Sequence, residues 1–253
     1  MVETFSPQAV HPDPGLLVGH TVLVAGGTGN VGRYIVRSLL ERGAVVVVPS
    51  RSQPKLDALR QSSKPADELL VTLLGDVAEE RDAARVRDTI MQRLPSSLSD
   101  VVASLGGWVN APSLLGATRA DLVRALDNYV VAHFTLAHRF LPVLAEHGGA
   151  SYTLINGPSA STTWPGSALV SVATAAQAML ARALLAEDGL KGRVEITELV
   201  IHPSAYIGPD ATTPGSGVDG WAVGRYVAGL MAGRVARAPT LHLESPEQLR
   251  GLP

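Results

Sequence analysis

Residues 21–40 read TVLVAGGTGNVGRYIVRSLL, and this stretch predicts a strand, a glycine-rich turn and a helix in that order. Val22, Leu23 and Val24 form an apolar run suited to a strand that is buried on both faces. After the turn, apolar residues recur at helical spacing, at Val31, Ile35, Val36, Leu39 and Leu40. Gly43 follows at a position where helices commonly end. The stretch therefore predicts the first β-α unit of an α/β domain.

The glycines of this turn suit the pyrophosphate of a dinucleotide. Gly26 permits a turn too tight for a Cβ atom, Gly29 lets the backbone approach phosphates, and Gly32 lets the helix pack closely on the sheet. The N–H groups at the helix start then face an anion. The residues expected to hold the phosphates are Gly26, Thr28, Gly29, Asn30, Val31 and Gly32. A glycine-rich turn without a ligand is the alternative, which the flanking strand and helix disfavour.

The composition limits the classes of function. Of the 253 residues, 46% are hydrophobic and only 17% are charged, so a sizeable core is expected. A net charge of −2 gives no electrostatic case for nucleic acid or an acidic membrane as a partner. The absence of cysteine excludes disulfides, thiolate metal sites and cysteine nucleophiles, and it fits the cytoplasmic location that we expect.

The first fifteen residues carry prolines and acids but no basic segment, so they do not resemble a signal peptide. We expect residues 1–15 to form a flexible N-terminal arm. No apolar run is expected to span a membrane.

Strands alternate with helices along the rest of the chain. Strands are predicted at 44–48, 69–74, 101–105, 152–155, 194–201 and 240–243, and helices at 53–61, 79–94, about 118–146 and about 167–187. This alternation implies a single α/β domain over residues 16–253. Its core is a Rossmann-type, doubly wound parallel sheet of about seven strands. Ligands of such sheets bind beyond the carboxyl ends of the strands.

The end of the second strand bears on the choice of cofactor. Ser50 stands where enzymes that select NAD usually carry an acidic residue, and Arg51 follows it. A guanidinium binds a 2′-phosphate in bidentate fashion, and the hydroxyls of Ser50 and Ser52 add donors. We therefore favour NADP(H) over NAD(H), with a solvated surface arginine as the alternative. Asp76, after the third strand, accepts from the adenine amino group or caps the next helix.

With these features in place, the chain resembles the short-chain dehydrogenase/reductase family from about Gly19 onward. Its glycines follow the GxxGxxG pattern of extended and atypical members, whereas ordinary members carry TGxxxGxG. The resemblance implies an adenine contact at Asp76 and Val77, and it places Ser104, Leu105 and Gly106 where the family has NNAG. It also implies nicotinamide contacts in the HPSAYI segment, at Pro203, Ser204, Tyr206 and Ile207.

The resemblance also places the catalytic candidates. Asn128 falls on an asparagine that in the family stabilises a helix kink and holds a water of the proton relay, and Ser159 falls on the catalytic serine. The family's YxxxK pair is missing. Its tyrosine position is Ser171 or Val170, and its lysine position is Ala175 or Thr174. Ser171 therefore joins Ser159 and Asn128 as a catalytic candidate, although a serine is a far weaker acid than a phenol.

The remaining features suggest substrate and partner surfaces. Trp164, Pro165 and a Gly/Pro/Thr-rich lid over about 208–220 are expected on the substrate side, whereas Trp108 and Trp221 line a pocket or belong to the core. His133 and His138 lie five residues apart, which is not metal-ligand spacing, so no metal site is predicted. We expect His133 beside a dimer face, because in the family the two long helices build the dimer or tetramer interface.

Two functions follow from the sequence. The first is an NADP(H)-dependent oxidoreductase acting on a small organic carbonyl or enone with a non-standard proton relay. The second is a non-reducing member: a nucleotide-binding sensor, or a cyclase or isomerase that uses the same pocket.

Overall fold

A parallel seven-stranded sheet forms the centre of the protein, with strand order β3-β2-β1-β4-β5-β6-β7. The computed structural model describes residues 13–94, 98–107, 113–202 and 218–252. The strands are β1 (Thr21–Ala25), β2 (Val45–Ser50), β3 (Leu70–Leu74), β4 (Asp100–Ala103), β5 (Ala150–Asn156), β6 (Val194–Ile201) and β7 (Thr240–Leu243). The predicted doubly wound Rossmann-type sheet is confirmed, with boundaries shifted by up to two residues.

Helices cover both faces of the sheet. They are α1 (Gly32–Leu40), α2 (Gln53–Ser62), α3 (Glu80–Arg93), α4 (Arg119–Leu126), α5 (Ala132–His147), α6 (Ala168–Ala186) and α7 (Gly220–Met231). The helix predicted over 118–146 is α4 followed by α5. A π-helical turn, Asp127–Val131, joins the two, and Asn128 lies within it.

The first strand shows why residues 22–25 are all apolar. Val22 and Val24 pack into the core on one face of the sheet, with α1 and α7. Leu23 and Ala25 pack into the core on the opposite face, with α3 and α5. Because successive side chains of a strand point to opposite faces, a strand covered on both sides favours apolar residues at successive positions.

The topology positions a site at the carboxyl ends of the strands. β1 pairs with β2 on one side and β4 on the other. The chain therefore leaves β1 toward one edge of the sheet and later returns to build the other half. The segments after β1 and β4 lead to helices on opposite faces of the sheet, α1 and α5 respectively. The crevice at this point is where sheets of this type bind ligands.

The segment before α7 corrects part of the predicted lid. Residues 208–217 lie outside the described residues, but Val218 is fully buried and the Asp219 side chain accepts a hydrogen bond from the Ala222 amide at 2.7 Å. Residues 218–220 are therefore the capped start of α7 and not part of a flexible cover. α7 itself was not predicted.

Helix α6 corrects a second expectation. By length and apolarity alone Ala168–Ala186 could cross a membrane, although the sequence was expected to contain no such run. In the structure α6 packs against β5 and β6, and its side chains Leu169, Ala173 and Ala181 are almost completely buried. This packing is that of a core helix of the domain.

The N-terminal arm is described only from residue 13. Residues 14–19 form a turn ahead of β1, in which the Gly15 amide donates to Asp13 Oδ1 at 3.0 Å. Leu17 is buried in the core on the α1 side of the sheet. Residues 1–12 lie outside the described part of the chain, so the flexible arm stays a prediction.

Candidate active site

The glycine-rich turn after β1 is built from two close backbone contacts. Gly26 has φ +81°, and a Cβ there would lie 2.0 Å from the carbonyl oxygen of Ser104 on the neighbouring chain segment. A Cβ on Gly32 would lie 2.1 Å from the Gly26 carbonyl oxygen. Both positions therefore require glycine, the first for the turn and the second for the approach of α1.

The start of α1 is suited to an anion. No side chain caps this helix, whereas Glu79, Thr118 and Asp219 cap α3, α4 and α7. Gly29, at the front of the turn, is exposed. The backbone amides of an uncapped helix start, together with the positive end of the helix dipole, favour binding of a phosphate. This cradle fits the pyrophosphate of a dinucleotide.

A cavity of about 330 Å³, here called the β1–β3 cavity, opens at the carboxyl ends of the first strands. It gathers residues from the ends of β1 to β4 and from the π-helical turn. Among the predicted cofactor residues it is lined by Gly26, Thr28, Gly29, Ser50, Arg51, Ser52, Asp76, Val77, Ser104, Leu105 and Gly106, and also by Asn128. Gly32 does not line this cavity and packs against the Gly26 carbonyl of the turn.

The β1–β3 cavity is lined by two cations, Arg51 and Lys55, and by two carboxylates, Asp76 and Asp127. Arg51 is largely exposed, and its Nη1 lies 3.5 Å from Asp76 Oδ2. Lys55, from the first turn of α2, is a second cation that the sequence analysis missed. The other oxygen of Asp76 accepts a hydrogen bond from the Ala78 amide at 2.9 Å. An exposed ion pair at this distance is weak, so Arg51 is free to engage a phosphate.

A second cavity of about 610 Å³, here called the β5–α6 cavity, adjoins the first. Both cavities are lined by Gly29, Ser104, Leu105 and Gly106, so they form one continuous crevice. Asn30, Val31, Ser159 and Trp164 line the β5–α6 cavity, as do Tyr129, Val170 and Thr174. An extended ligand can therefore run from Arg51 at one end to Ser159 at the other.

The orientation of α6 determines which of its candidate residues line the β5–α6 cavity. Val170 and Thr174, four residues apart on one face of the helix, both line the β5–α6 cavity. Ser171 does not; it is buried, and its hydroxyl lies 3.3 Å from the Ser167 hydroxyl. The candidate catalytic role of Ser171 is thereby corrected. Of the residues offered for the family's tyrosine and lysine positions, Val170 and Thr174 are the two that line the cavity. Neither valine nor threonine has the acidity of a phenol.

The other two catalytic candidates lie in different cavities. Ser159 sits in a short 3-10 turn, Pro158–Ala160, directly after β5, and lines the β5–α6 cavity. Asn128 lies in the π-helical turn and lines the β1–β3 cavity. Ser159, and not Asn128, therefore shares a cavity with the α6 residues Val170 and Thr174.

Tyr129 is a site residue that the sequence analysis missed. It follows Asn128 in the π-helical turn, lines the β5–α6 cavity, and donates its hydroxyl to the Gly107 carbonyl at 2.7 Å. Gly106 leaves room for it, because a Cβ there would lie 2.7 Å from the phenol ring. Burial raises the pKa of the Tyr129 phenol, so the hydroxyl keeps its proton at neutral pH. Tyr129 thus places a protonated phenol at the β5–α6 cavity.

A buried polar network supports the floor of the crevice. Asn156, at the end of β5, donates to Glu198 Oε1 at 2.8 Å and to the Thr174 carbonyl at 3.1 Å. His133 Nδ1 lies 2.6 Å from the Tyr129 carbonyl oxygen, and Gln177 donates to the Ile155 carbonyl at 2.8 Å. These bonds fix the backbone on both sides of the β5–α6 cavity.

His133 corrects a further expectation. Its side chain is fully buried between α5 and the sheet, and it does not lie beside an exposed helix face. Burial lowers the pKa of its imidazole to about 4, so the ring is neutral at pH 7. His133 is consequently a structural residue beneath the site.

Several predicted residues cannot be placed. Trp108 and the four nicotinamide-contact candidates Pro203, Ser204, Tyr206 and Ile207 lie outside the described residues. Of the other tryptophans, Trp164 lines the β5–α6 cavity as expected on the substrate side. Trp221 packs edge-on against Tyr34, with the Arg37 guanidinium 4.7 Å from its ring centroid.

Residues 20–206 match the sequence profile that describes short chain dehydrogenases. The chain belongs to the short-chain dehydrogenase family. It is 28% identical over 179 residues to oxidoreductase asL5 of Sarocladium schorii, a match that covers 69% of this chain and 70% of that one. It is 25% identical over 171 residues to a tropinone reductase homolog of Arabidopsis thaliana, covering 68% of this chain and 63% of the relative.

Solved structures of the short-chain dehydrogenase family share the fold. A gluconate 5-dehydrogenase from Burkholderia cenocepacia in complex with NADP and tartrate superposes with a TM-score of 0.77, at 19% identity over 92% of this chain and 96% of that one. A 7α-hydroxysteroid dehydrogenase complexed with NADH and 7-oxo glycochenodeoxycholic acid gives a TM-score of 0.78, at 16% identity over 91% and 95% of the two chains. At these identities the similarity establishes the fold alone. One of the two solved structures is a complex with NADP and the other a complex with NADH.

Proposed function

We propose that this short-chain dehydrogenase family member is an NADP(H)-dependent oxidoreductase. It acts on a small organic carbonyl or enone with a non-standard proton relay. The observation that carries the proposal is the continuous crevice from Arg51 to Ser159 at the carboxyl ends of the strands. Three further features support the proposal: the glycine-rich turn after β1, the uncapped start of α1, and the β5–α6 cavity, which is large enough for a substrate.

The preference for NADP(H) rests on charge. Arg51 and Lys55 face the β1–β3 cavity, and the hydroxyls of Ser50 and Ser52 lie at the same edge. No acidic residue occupies position 50, where it would bind a ribose 2′-hydroxyl and repel a 2′-phosphate. Two cations and two hydroxyl donors favour a dianionic phosphate over a neutral hydroxyl.

The proton relay is proposed to use Tyr129 with Ser159. Reduction of a carbonyl adds a hydride to carbon and a proton to oxygen, and the bound nicotinamide supplies the hydride. Tyr129 lines the cavity and holds a phenolic proton, while Ser159 offers a hydroxyl that orients the substrate oxygen. A proton passed from the phenol to the developing alkoxide is then restored from water through the open crevice.

The decisive experiment combines binding with turnover. Titration of NADPH into the protein, followed by nicotinamide fluorescence, should show saturable binding that is tighter than that of NADH. Oxidation of NADPH is then followed with a panel of ketones, quinones and enones. Turnover of any member above the protein-free background supports the proposal, and failure to bind either cofactor overturns it.

The non-reducing alternative is favoured by one observation. Val170 and Thr174, which the sequence offered as alternatives for the family's tyrosine and lysine positions, line the β5–α6 cavity and carry neither a phenol nor an ammonium group. This alternative predicts tight NADP(H) binding without turnover of any carbonyl in the panel. The same experiment therefore separates a sensor, cyclase or isomerase from a reductase.

Self-association through the long helices is part of the proposal, as is a cytoplasmic location. Large apolar side chains are exposed on the outer side of these helices, at Val131, Phe134, Val172 and Met179. Exposed apolar residues on the same two helices are typical of a contact surface between copies.

A further inference from the structure

Three side chains with metal-binding atoms meet at the carboxyl ends of β6 and β7. His202 follows β6, His242 lies in β7, and Glu244 follows β7. His202 Nε2 lies 2.9 Å from His242 Nδ1 and 3.6 Å from Glu244 Oε1. All three ligand atoms lie within 4.8 Å of one another. The cluster is separate from both cavities of the crevice.

The backbone around the cluster is held in place. The His202 amide donates to the Leu243 carbonyl at 2.9 Å, which continues the pairing of β6 with β7. The Gln248 side chain donates to the His242 carbonyl at 2.8 Å and accepts from the Glu244 amide at 2.7 Å. The three side chains therefore converge from a fixed frame, which reduces the entropy lost when a ligand orders them.

The chemistry of the cluster matches a divalent transition metal. Two imidazole nitrogens and one carboxylate oxygen are common ligands of zinc, and sites with three protein ligands keep a position for water. In a tetrahedral site with bonds of about 2.0–2.1 Å, two nitrogens lie about 3.3 Å apart. To bind one cation, the two imidazole nitrogens separate by about 0.4 Å from their present 2.9 Å contact, the shared proton is lost, and the rings turn so that both lone pairs meet at the ion.

We propose that His202, His242 and Glu244 bind a divalent transition-metal cation such as zinc. The cation replaces the hydrogen bond between the two rings, and the carboxylate neutralises part of its charge. All three side chains are accessible to solvent, so the cation can enter without unfolding the strands. Bound there, it ties the carboxyl end of β6 to that of β7. Ile201, the last residue of β6, lines the β5–α6 cavity.

Zinc itself is the probe that tests the proposal. Full-length protein is freed of metal with a chelator, dialysed, and titrated with zinc chloride by calorimetry. We expect about one equivalent to bind and the melting temperature to rise with zinc. His242→Gln should weaken the affinity at least tenfold and abolish the rise, and Glu244→Gln should weaken the affinity in the same direction. Both residues are exposed, so these variants are expected to fold.

A matched histidine provides the control. His138 on α5 is exposed and stacks on Phe134, with ring centroids 5.8 Å apart. His138→Gln removes one imidazole without touching the cluster, so zinc affinity should stay unchanged. Absence of zinc uptake, equal affinity of the wild type and His242→Gln, or equal loss in His138→Gln would each overturn the site. None of these readouts depends on cofactor binding or turnover.

Discussion

Arg51 is the side chain on which the cofactor preference depends. Arg51→Ala should weaken NADPH binding by about tenfold to a hundredfold and leave NADH binding nearly unchanged. A charge-assisted hydrogen bond contributes roughly 1.5–3 kcal/mol, and only NADPH carries the 2′-phosphate. The dissociation constants of both cofactors are measured by nicotinamide fluorescence. Arg37→Ala is the control, since Arg37 pairs with Glu41 and does not line the β1–β3 cavity. Equal weakening of both cofactors would contradict the assignment.

Tyr129 carries the proposed proton transfer. Tyr129→Phe keeps the ring and removes the hydroxyl, so kcat for an accepted carbonyl should fall by about 10²–10⁴-fold, the usual contribution of a positioned general acid. NADPH affinity should not change. Tyr34→Phe is the control, because Tyr34 lies on α1 beside Trp221, away from the β5–α6 cavity. Unchanged turnover in Tyr129→Phe would assign the proton to another donor.

His20 makes stability depend on pH. The hydrogen bond to Asp100, 2.8 Å long, raises the pKa of His20 above its usual 6.5, against the opposing effect of burial. The protonated ring therefore stabilises the folded state fully below pH 6.5, and this contribution is lost as the pH rises through the raised pKa. Urea unfolding at several pH values should show this loss in the wild type. His20→Gln should remove it, and the same slope in the variant would contradict the assignment.

Sequence alone could predict the position of side chains that follow strands. It could not predict positions that depend on the rotation of a helix or on contact between residues far apart in the chain. Arg51 follows β2 directly and Asp76 follows β3 after one residue, so their position in the crevice was predictable. Ser171 and Val170 differ by one residue, which on a helix is a rotation of about 100°, and only the packing of α6 decides between them. His202 and His242 are forty residues apart, and no spacing rule brings them together.

At the scale of elements, α7 is defined by how closely it packs on α1. A Cβ on Gly220 would lie 2.2 Å from the Tyr34 ring, and one on Gly224 would lie 2.5 Å from the Tyr34 carbonyl oxygen. The helix contains three glycines, which lower its helical propensity. This is why the sequence did not predict α7: the residues that permit its packing are those that weaken it in isolation.

The α1–α7 contact gives a stability prediction. Gly224→Ala should destabilise the protein by about 1–3 kcal/mol, because the added methyl group meets backbone that cannot move aside. Gly229→Ala in the same helix is the control, since its Cβ would meet only flexible side-chain atoms, the nearest 3.0 Å away on Leu252. Chemical denaturation measures both free energies of unfolding. Equal stability of the two variants would mean that α7 shifts freely on α1.

At the scale of the whole molecule, the exposed faces of α5 and α6 predict association between copies. Phe134 is 52% exposed on α5 and Met179 is 57% exposed on α6. Phe134→Glu should shift the protein toward monomer, because a charge in an apolar interface has no partner. Sedimentation velocity measures the mass. Met91→Lys on α3, a partly exposed apolar residue on a different helix, should leave it unchanged. A wild-type monomer at micromolar concentration would refute the interface.

The overall architecture was predictable because most strands are rich in apolar residues and alternate with helices along the chain. The relation between the two cavities was not, since it depends on the π-helical turn Asp127–Val131, which turns Asn128 toward one cavity and Tyr129 toward the other. A π-helical turn inserts an extra residue into a helix and has no simple periodicity in sequence.

The position of α6 between β5 and β6 has a consequence for synthesis of the chain. β6 follows α6 in sequence. The helix therefore leaves the ribosome before β6, one of the two strands on which it packs, has been synthesised. For that interval the nascent chain presents an apolar segment of membrane-spanning length to the aqueous medium. Translational pauses or chaperone capture between residues 186 and 201 should therefore influence the yield of folded protein more than similar delays elsewhere.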